Sequence, residues 1–291
     1  MKIAIQGAAA SFHHQAALEY FQQDLDLLEC RSFVQVCEAL LQGKVDNAIM
    51  AIENTFTGSL LPNYGLLQHY PLHIVGEHYL HIEQHLMALS GQDMDEIKYV
   101  HSHPIALNQC SLFLEQHPQI TAIEKYDTAG SAQEIADHGL IGVAAIAGEQ
   151  AAELYGLQIL VHDIENLKQN HTRFLVLSLD GKETVEEPNK ASICLEAAHK
   201  VGSLMEVLQV FQQHLINITK IQSVPILEKP YQYQFHLDAE WGPETDLSRA
   251  ITDLDKITFS QRVLGIYKKG TKSYDYTSST KTATGRGILL L

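Results

Sequence analysis

The run Asn170-His171-Thr172-Arg173-Phe174 places a hydroxyl, a permanent cation and an aromatic ring in succession just ahead of the apolar residues Leu175-Val176-Leu177. Threonine can donate a hydrogen bond to a departing oxygen, arginine's rigid fork fits a carboxylate, and phenylalanine can exclude water from both. The apolar run reads as a strand with these polar groups at its mouth. On spacing alone, a Thr-Arg pair at a strand edge is more often a solvated surface feature. A second polar group, Glu53-Asn54-Thr55-Phe56-Thr57-Gly58-Ser59, closes a strand over residues 47–52. In open α/β sheets ligands bind at that end of a strand. The competing reading is a helix-capping turn into residues 60–68.

His73, His78, His81 and His85 invite a metal reading. The stretch is not H-E-x-x-H, and a strand's period of two puts His78 on the face opposite His81 and His85, so no shared metal site is expected.

Strand Lys2–Gln6, Gly7, an alanine-rich turn and Ser11 as N-cap lead into a helix through Ala16, Ala17 and Leu18. The glycines do not form G-x-G-x-x-G, so no dinucleotide is expected. Helical patterning over 34–41 precedes the strand at 47–52. Then follow a strand near 98–100, the turn Ser102-His103-Pro104, a helix with Gln109 and Cys110, alternation over 121–126, a helix over 128–138, a strand at 141–144 and a helical segment at 147–155. This βαβ order predicts parallel sheets covered by helices on both faces. A charged stretch from Asp180 to Pro188 is the best domain boundary, with the linker at 181–190. Beyond it the order is βαββαβ, a ferredoxin-like unit over 191–268, and a flexible Ser/Thr/Gly-rich tail is expected over 269–291.

The 291 residues, 45% of them hydrophobic, can bury sizeable cores, and 20 Lys+Arg against 35 Asp+Glu leave a formal charge of −15. That charge repels phosphate backbones and anionic membranes, so neither nucleic acid nor a membrane is an expected partner. An anionic small substrate would need cations placed locally inside a cleft, Arg173 being the evident one. Cys30, Cys37, Cys110 and Cys194 lack paired spacing, which fits a reducing cytosol. No apolar run approaches the roughly 20 residues of a membrane span, and the first residues show no export signal.

Taken together, the segments resemble prephenate dehydratases, from residue 2 to about residue 267. The family's glycine loop corresponds to residues 7–17, its "IEN(S/T)-x-x-G" to Ile52-Glu53-Asn54-Thr55-Phe56-Thr57-Gly58, and its "SHP" with downstream glutamine to Ser102-His103-Pro104 and Gln109. "YGL" stands as Tyr155-Gly156-Leu157 and "N-x-TRF" as residues 170–174. The resemblance implies an α/β fold: a two-lobed, periplasmic-binding-protein-like catalytic region over 1–180, its second lobe at about 77–160, followed by a ferredoxin-like ACT regulatory domain. Arg173, Glu53 and Ser102 would then face one cavity.

The implied reaction is decarboxylative dehydration of prephenate to phenylpyruvate, a hydro-lyase step toward L-phenylalanine that aromatisation drives without metal or cofactor. Thr172 would hydrogen-bond the departing hydroxyl, Arg173 would orient a carboxylate, and Glu53 would complete the catalytic set. Ser11, Asn54, Thr55, Ser102, Gln109 and Phe174 would line the substrate site. Two departures carry consequences. Ala10 stands where the family has a second glycine, and His13 replaces a usual serine; since alanine resists positive φ, the loop is expected to take another course there. In the second domain Gly202-Ser203-Leu204 stands for "GAL" and residues 217–225 for "NLTKIESRP", with Gln222 and Val224 replacing a glutamate and an arginine. The implied effector is L-phenylalanine, held near Gly202, Ser203, Leu204 and Asn217 in a homodimer or homotetramer paired through ACT domains, with coupling weakened by the lost ion pair. The rivals are an arogenate dehydratase and a catalytically silent amino-acid sensor.

Overall fold

The structure, a computed structural model, describes residues 1–181, 185–198, 200–226, 229 and 231–271. Most of the tail expected over 269–291, and residues 182–184 of the linker, therefore lie outside the described residues.

The first lobe is built from β1 (Lys2–Gln6), α1 (Phe12–Phe21), β2 (Asp26–Cys30), α2 (Phe33–Leu41), β3 (Asn47–Asn54), the short β4 (Gly58–Ser59), α3 (Leu61–His69) and β5 (His73–His81). The second comprises β6 (His85–Ala88), β7 (Tyr99–Ser102), α4 (Pro104–Gln109), α5 (Ser111–Gln116), β8 (Thr121–Glu124), α6 (Thr128–His138), β9 (Val143–Ala147), α7 (Glu149–Tyr155) and β10 (Gln158–Val161). The chain then returns along β11 (His171–Ser178).

The first sheet runs β2-β1-β3-β11-β5, with β4 on β3, and the second runs β10-β6-β9-β7-β8. Ile3, Ala4 and Ile5 are fully buried, as a strand covered on both faces requires. The expected parallel pairing holds for β1 with β2 and β3, and for β7 with β8 and β9. It fails at β6, which is antiparallel to β9 and to β10, and at β11, which is antiparallel to β3 and to β5. At β11 the reason is topological: β5 leaves the first lobe at the cleft end, and the chain comes back through the same end. Because β5 pairs along β11, the sheets divide at residues 82–84, so the crossing lies beyond the expected residue 77.

After β11 come β12 (Lys190–Ala197), α8 (Ser203–Gln213), β13 (Asn217–Pro225), β14 (Tyr233–Glu240), α9 (Leu247–Asp255) and β15 (Thr258–Tyr267). Their sheet order β13-β14-β12-β15 is the ferredoxin-like one. One face of this sheet packs on α8 and α9 through Ile193, Leu237, Val207, Phe211 and Leu254. The other packs on the first lobe, where Cys194, Val224, Leu264 and Tyr267 share a core with Met50, Ile52, Leu175 and Leu177. A Cβ on Gly265 would collide with the Ile74 carbonyl, so glycine is what lets β15 lie so close to β5.

His236 sits in this seam, its ring edge-on to Tyr64 at 5.0 Å and its Nε2 3.1 Å from the Gln68 amide. Burial pushes its imidazole down to about 4 from 6.5. The unfolded chain takes up that proton first, so this stabilising contribution is complete above pH 6.5 and is lost as pH falls to about 4. The melting temperature is expected to fall through that window, and to fall less steeply in a His236→Gln variant. Equal slopes for the two proteins in calorimetry would contradict this.

Candidate active site

Strand β11 carries side chains alternately to two sides of the first sheet. Thr172, Phe174 and Val176 point toward the cleft and α1, whereas Arg173, Leu175 and Leu177 point toward the second domain. On neighbouring β3 the alternation is interrupted. The register runs Phe174 to Ala51, then Arg173 to Glu53 and Thr172 to Asn54, so Ile52 is bulged. Ile52 and Glu53 consequently face the second domain together, and Asn54 turns into the cleft.

Asn54 is the hub of the site. Its Nδ2 donates to Asn170 Oδ1 at 2.8 Å and to Thr172 Oγ1 at 2.9 Å, and its Oδ1 accepts from the backbone N–H of Phe56 at 2.9 Å and of Thr57 at 3.0 Å. Gln109 Nε2 donates to the same Oδ1 at 3.4 Å, and Gln84 donates in turn to Gln109 at 3.3 Å. With Asn54 occupying a lone pair of Thr172, the threonine proton has no acceptor among the described residues and is available to the cleft.

The cleft encloses about 400 Å³ between the lobes. Phe33, Ala51, Leu60, Ile82, Ala106 and Phe174 give it an apolar wall. Its lining holds one full cation, Arg31, which makes no ion pair among the described residues, one carboxylate, Asp127, and the first residues of α1, α2 and α6. These helices are capped by Ser11, Ser32 and Asp127, whose side chains accept from His14, Gln35 and Gly130 respectively. Three helix N-termini aimed at one cavity favour an anion in a protein that is otherwise strongly acidic. Burial pushes the His13 imidazole down to about 3, so His13 is a neutral wall residue; its ring meets Phe174 edge-on at 5.1 Å.

The lobes touch beside the cleft. Ala8 N donates to Asp127 Oδ2 at 3.2 Å, and Tyr155 donates to the Ala9 carbonyl at 3.0 Å. Burial raises the pKa of Asp127. Gly7, at φ 102°, leaves the space that Asp127 fills. Ala10 adopts the left-handed conformation that alanine resists, at φ 61°. Holding it there costs about 1–2 kcal/mol, and its N–H finds His14 Nδ1 at 2.9 Å.

Of the residues singled out from sequence, Ser11, Asn54, Gln109, Thr172 and Phe174 meet in the cleft, and four do not. Arg173 is on the opposite face, with Nε 2.7 Å from Glu77 and Nη2 3.1 Å from the Tyr267 hydroxyl, and it also pairs with Asp238. Glu53, turned over by the bulge, pairs with Lys220 at 2.7 Å. Ser102 donates to the Ile146 carbonyl at 2.6 Å, tying β7 to β9, and Thr55 Oγ1 donates to the His171 carbonyl at 3.1 Å. The histidines go separate ways: His78 to Glu19, His81 to the Lys168 carbonyl and His85 to the Asp163 N–H.

In the second domain Gly202, Ser203 and Leu204 line a separate cavity of about 590 Å³ at the start of α8. Asn217 follows the far end of that eleven-residue helix, about 16 Å away along its axis. One chain alone does not bring the four together. Val224 is buried against the first lobe, and Gln222 is half-buried.

Sequence reasoning missed Arg31, Phe33, Gln84 and Asp127. Asp127 carried a usable signal, an N-cap residue directly after a strand, the same pattern that drew notice to residues 53–59.

The sequence profile of the prephenate dehydratase family matches residues 3–182. The chain belongs to the prephenate dehydratase family. It is 34% identical over 272 residues to the bifunctional chorismate mutase/prephenate dehydratase of Escherichia coli (strain K12), covering 91% of this chain and 70% of that protein. It is also 34% identical over 283 residues to arogenate dehydratase/prephenate dehydratase 1, chloroplastic, of Arabidopsis thaliana, covering 92% and 72%. Among solved structures, the prephenate dehydratase of Arthrobacter aurescens in complex with L-Phe is similar at a TM-score of 0.81 and 27% identity, covering 92% of this chain and 90% of that one.

For a prephenate dehydratase with this geometry, Asn54→Ala is expected to lower kcat/KM by about two orders of magnitude, since it removes the partner that orients Thr172. Glu53→Gln, on the other face, is expected to change it by less than about threefold. Steady-state kinetics on the pair checks this, and equal losses would contradict the two-faced assignment.

Proposed function

We propose that the cleft converts prephenate to phenylpyruvate, with Thr172 assisting departure of the ring hydroxyl. The bond from the ring to its carboxylate breaks, the electron pair passes through the diene, and the carbon–oxygen bond at the opposite ring carbon breaks. Carbon dioxide leaves, and the hydroxide takes a proton to leave as water. The observation that carries this reading is the Thr172 hydroxyl, which accepts from Asn54 and keeps its proton for the cavity. A threonine is too weak an acid to supply the proton outright, so its part is a hydrogen bond to the developing hydroxide, with water delivering the proton.

The lining supports the two halves of the reaction. Arg31 and the ends of α1, α2 and α6 suit the side-chain carboxylate, while Phe33, Phe174, Leu60 and Ile82 suit the one that becomes neutral carbon dioxide. Aromatisation provides the driving force, so this proposal calls for no metal or redox cofactor. The cytosol, where four free cysteines stay reduced, is the proposed setting.

We read the second domain as an ACT regulatory domain that binds L-phenylalanine and pairs with a second copy. Its outermost strand β13 leaves one edge open, and Ile221, Tyr233 and Phe259 are exposed on the same unit. A site shared between copies would also bring an Asn217 toward a Gly202.

Incubation of the purified protein with prephenate, followed by phenylpyruvate absorbance, tests the activity, with arogenate as the competing substrate. Thr172→Ala is expected to lower kcat by about two or more orders of magnitude with little change in KM, and Thr172→Ser to retain most of it. Near-normal turnover in Thr172→Ala would remove the role assigned to that hydroxyl.

A further inference from the structure

Thr172 and Arg173 are consecutive on β11, yet one faces the cleft and the other the second domain. Arg173 is 5% exposed, and its three nitrogens are held by three different strands: Glu77 on β5, Asp238 on β14 and Tyr267 on β15. The acceptors are fixed in turn. Glu77 also takes Lys190 Nζ at 3.0 Å and Gly270 N at 2.9 Å, and Ser192 on β12 donates to Asp238 at 2.6 Å while lying 2.7 Å from the Tyr267 hydroxyl. Burial opposes charge on Arg173 and Asp238 alike, but each outweighs it for the other: the arginine's pKa is raised and the aspartate's lowered. Both stay charged, so neither can leave without stranding the other in a dry interior.

Such a cluster has little slack. A shift of β14 or β15 against the first lobe must either break it or drag the backbone of Arg173, and the next residue is Thr172. Misplacement of a reacting partner by an ångström is enough to cost about a hundredfold in rate.

We propose that Arg173 is a positioning residue that ties the place of the Thr172 hydroxyl to the seating of the second domain. The Arg173–Asp238–Tyr267 contact is then the route by which a ligand on that domain alters turnover in the cleft. This rests on reading the second domain as a phenylalanine-binding unit and the cleft as a prephenate dehydratase site.

The test compares full-length wild type, Asp238→Asn and Tyr267→Phe, measuring L-phenylalanine binding by calorimetry and prephenate turnover with and without L-phenylalanine. Both variants are expected to bind the amino acid within about twofold of wild type, while its effect on kcat shrinks by about fivefold or more, a typical coupling for linked sites. A merely structural role would lower the melting temperature and leave that ratio alone. Should Asp238→Asn fail to fold, Tyr267→Phe, which removes one hydroxyl, carries the comparison. Variants that bind and respond like wild type would overturn the inference while leaving the proposed function standing. A wild type that turns over prephenate but ignores L-phenylalanine would overturn the regulatory reading and this inference with it; a wild type without turnover would overturn the reading of the cleft and the inference together.

Discussion

A buried guanidinium has few places to go, and Arg173 has one. Its charge is opposed by burial and sustained by Asp238 and Glu77, so the strand that carries it cannot move independently of β5, β14 and β15. Removing one partner of such a group costs about 3–5 kcal/mol, because the other charge is left uncompensated. That constraint fixes β11, and β11 fixes the site: a strand's period of two sends Thr172 and Phe174 into the cleft whenever Arg173 is held on the other side. The bulge at Ile52 does the same for Asn54, so the polar floor of the cleft is the reverse side of an interdomain contact.

The electrostatics follow a similar division. A chain with a formal charge of −15 would repel a dicarboxylate at most of its surface, and yet the cleft gathers Arg31 and three helix N-termini. Arg31 and the backbone N–H groups at these helix starts are what the cleft offers an anion, with Arg173 and Lys190 spent on the interior cluster. Backbone dipoles suit a reaction in which one carboxylate must be held and another must lose its charge, since they orient without committing a cation to each group.

Much of the architecture was legible in residue order. The Lys2–Gln6 strand, the Ser11 cap, the βαβ alternation and the βαββαβ unit all rest on patterns that short windows contain. Strand β2 was not legible, because it is an edge strand with Asp26 and Glu29 exposed and little alternation, and with it went Arg31 at its end. The direction of Arg173 was hidden for a different reason: its acceptors lie 96, 65 and 94 residues away, where no local pattern reaches. Glu53 was placed in the cleft by the resemblance alone, and the bulge that turns it to the other face leaves no mark in composition. Ser102 sits at a strand end like the residues that line the cleft, and only the pairing of β7 with β9 turns its hydroxyl to a carbonyl.

The central claim is that Thr172 meets the ligand and Arg173 does not. A crystal structure of the full chain with phenylpyruvate bound tests it most directly. The account predicts the ring against Phe174 and Phe33, the carboxylate near Arg31 and the helix ends, and Thr172 Oγ1 within hydrogen-bond reach of the ring carbon position from which hydroxide leaves or of a water beside it. A product carboxylate paired to Arg173, with Asp238 and Glu77 displaced from it, would contradict the account.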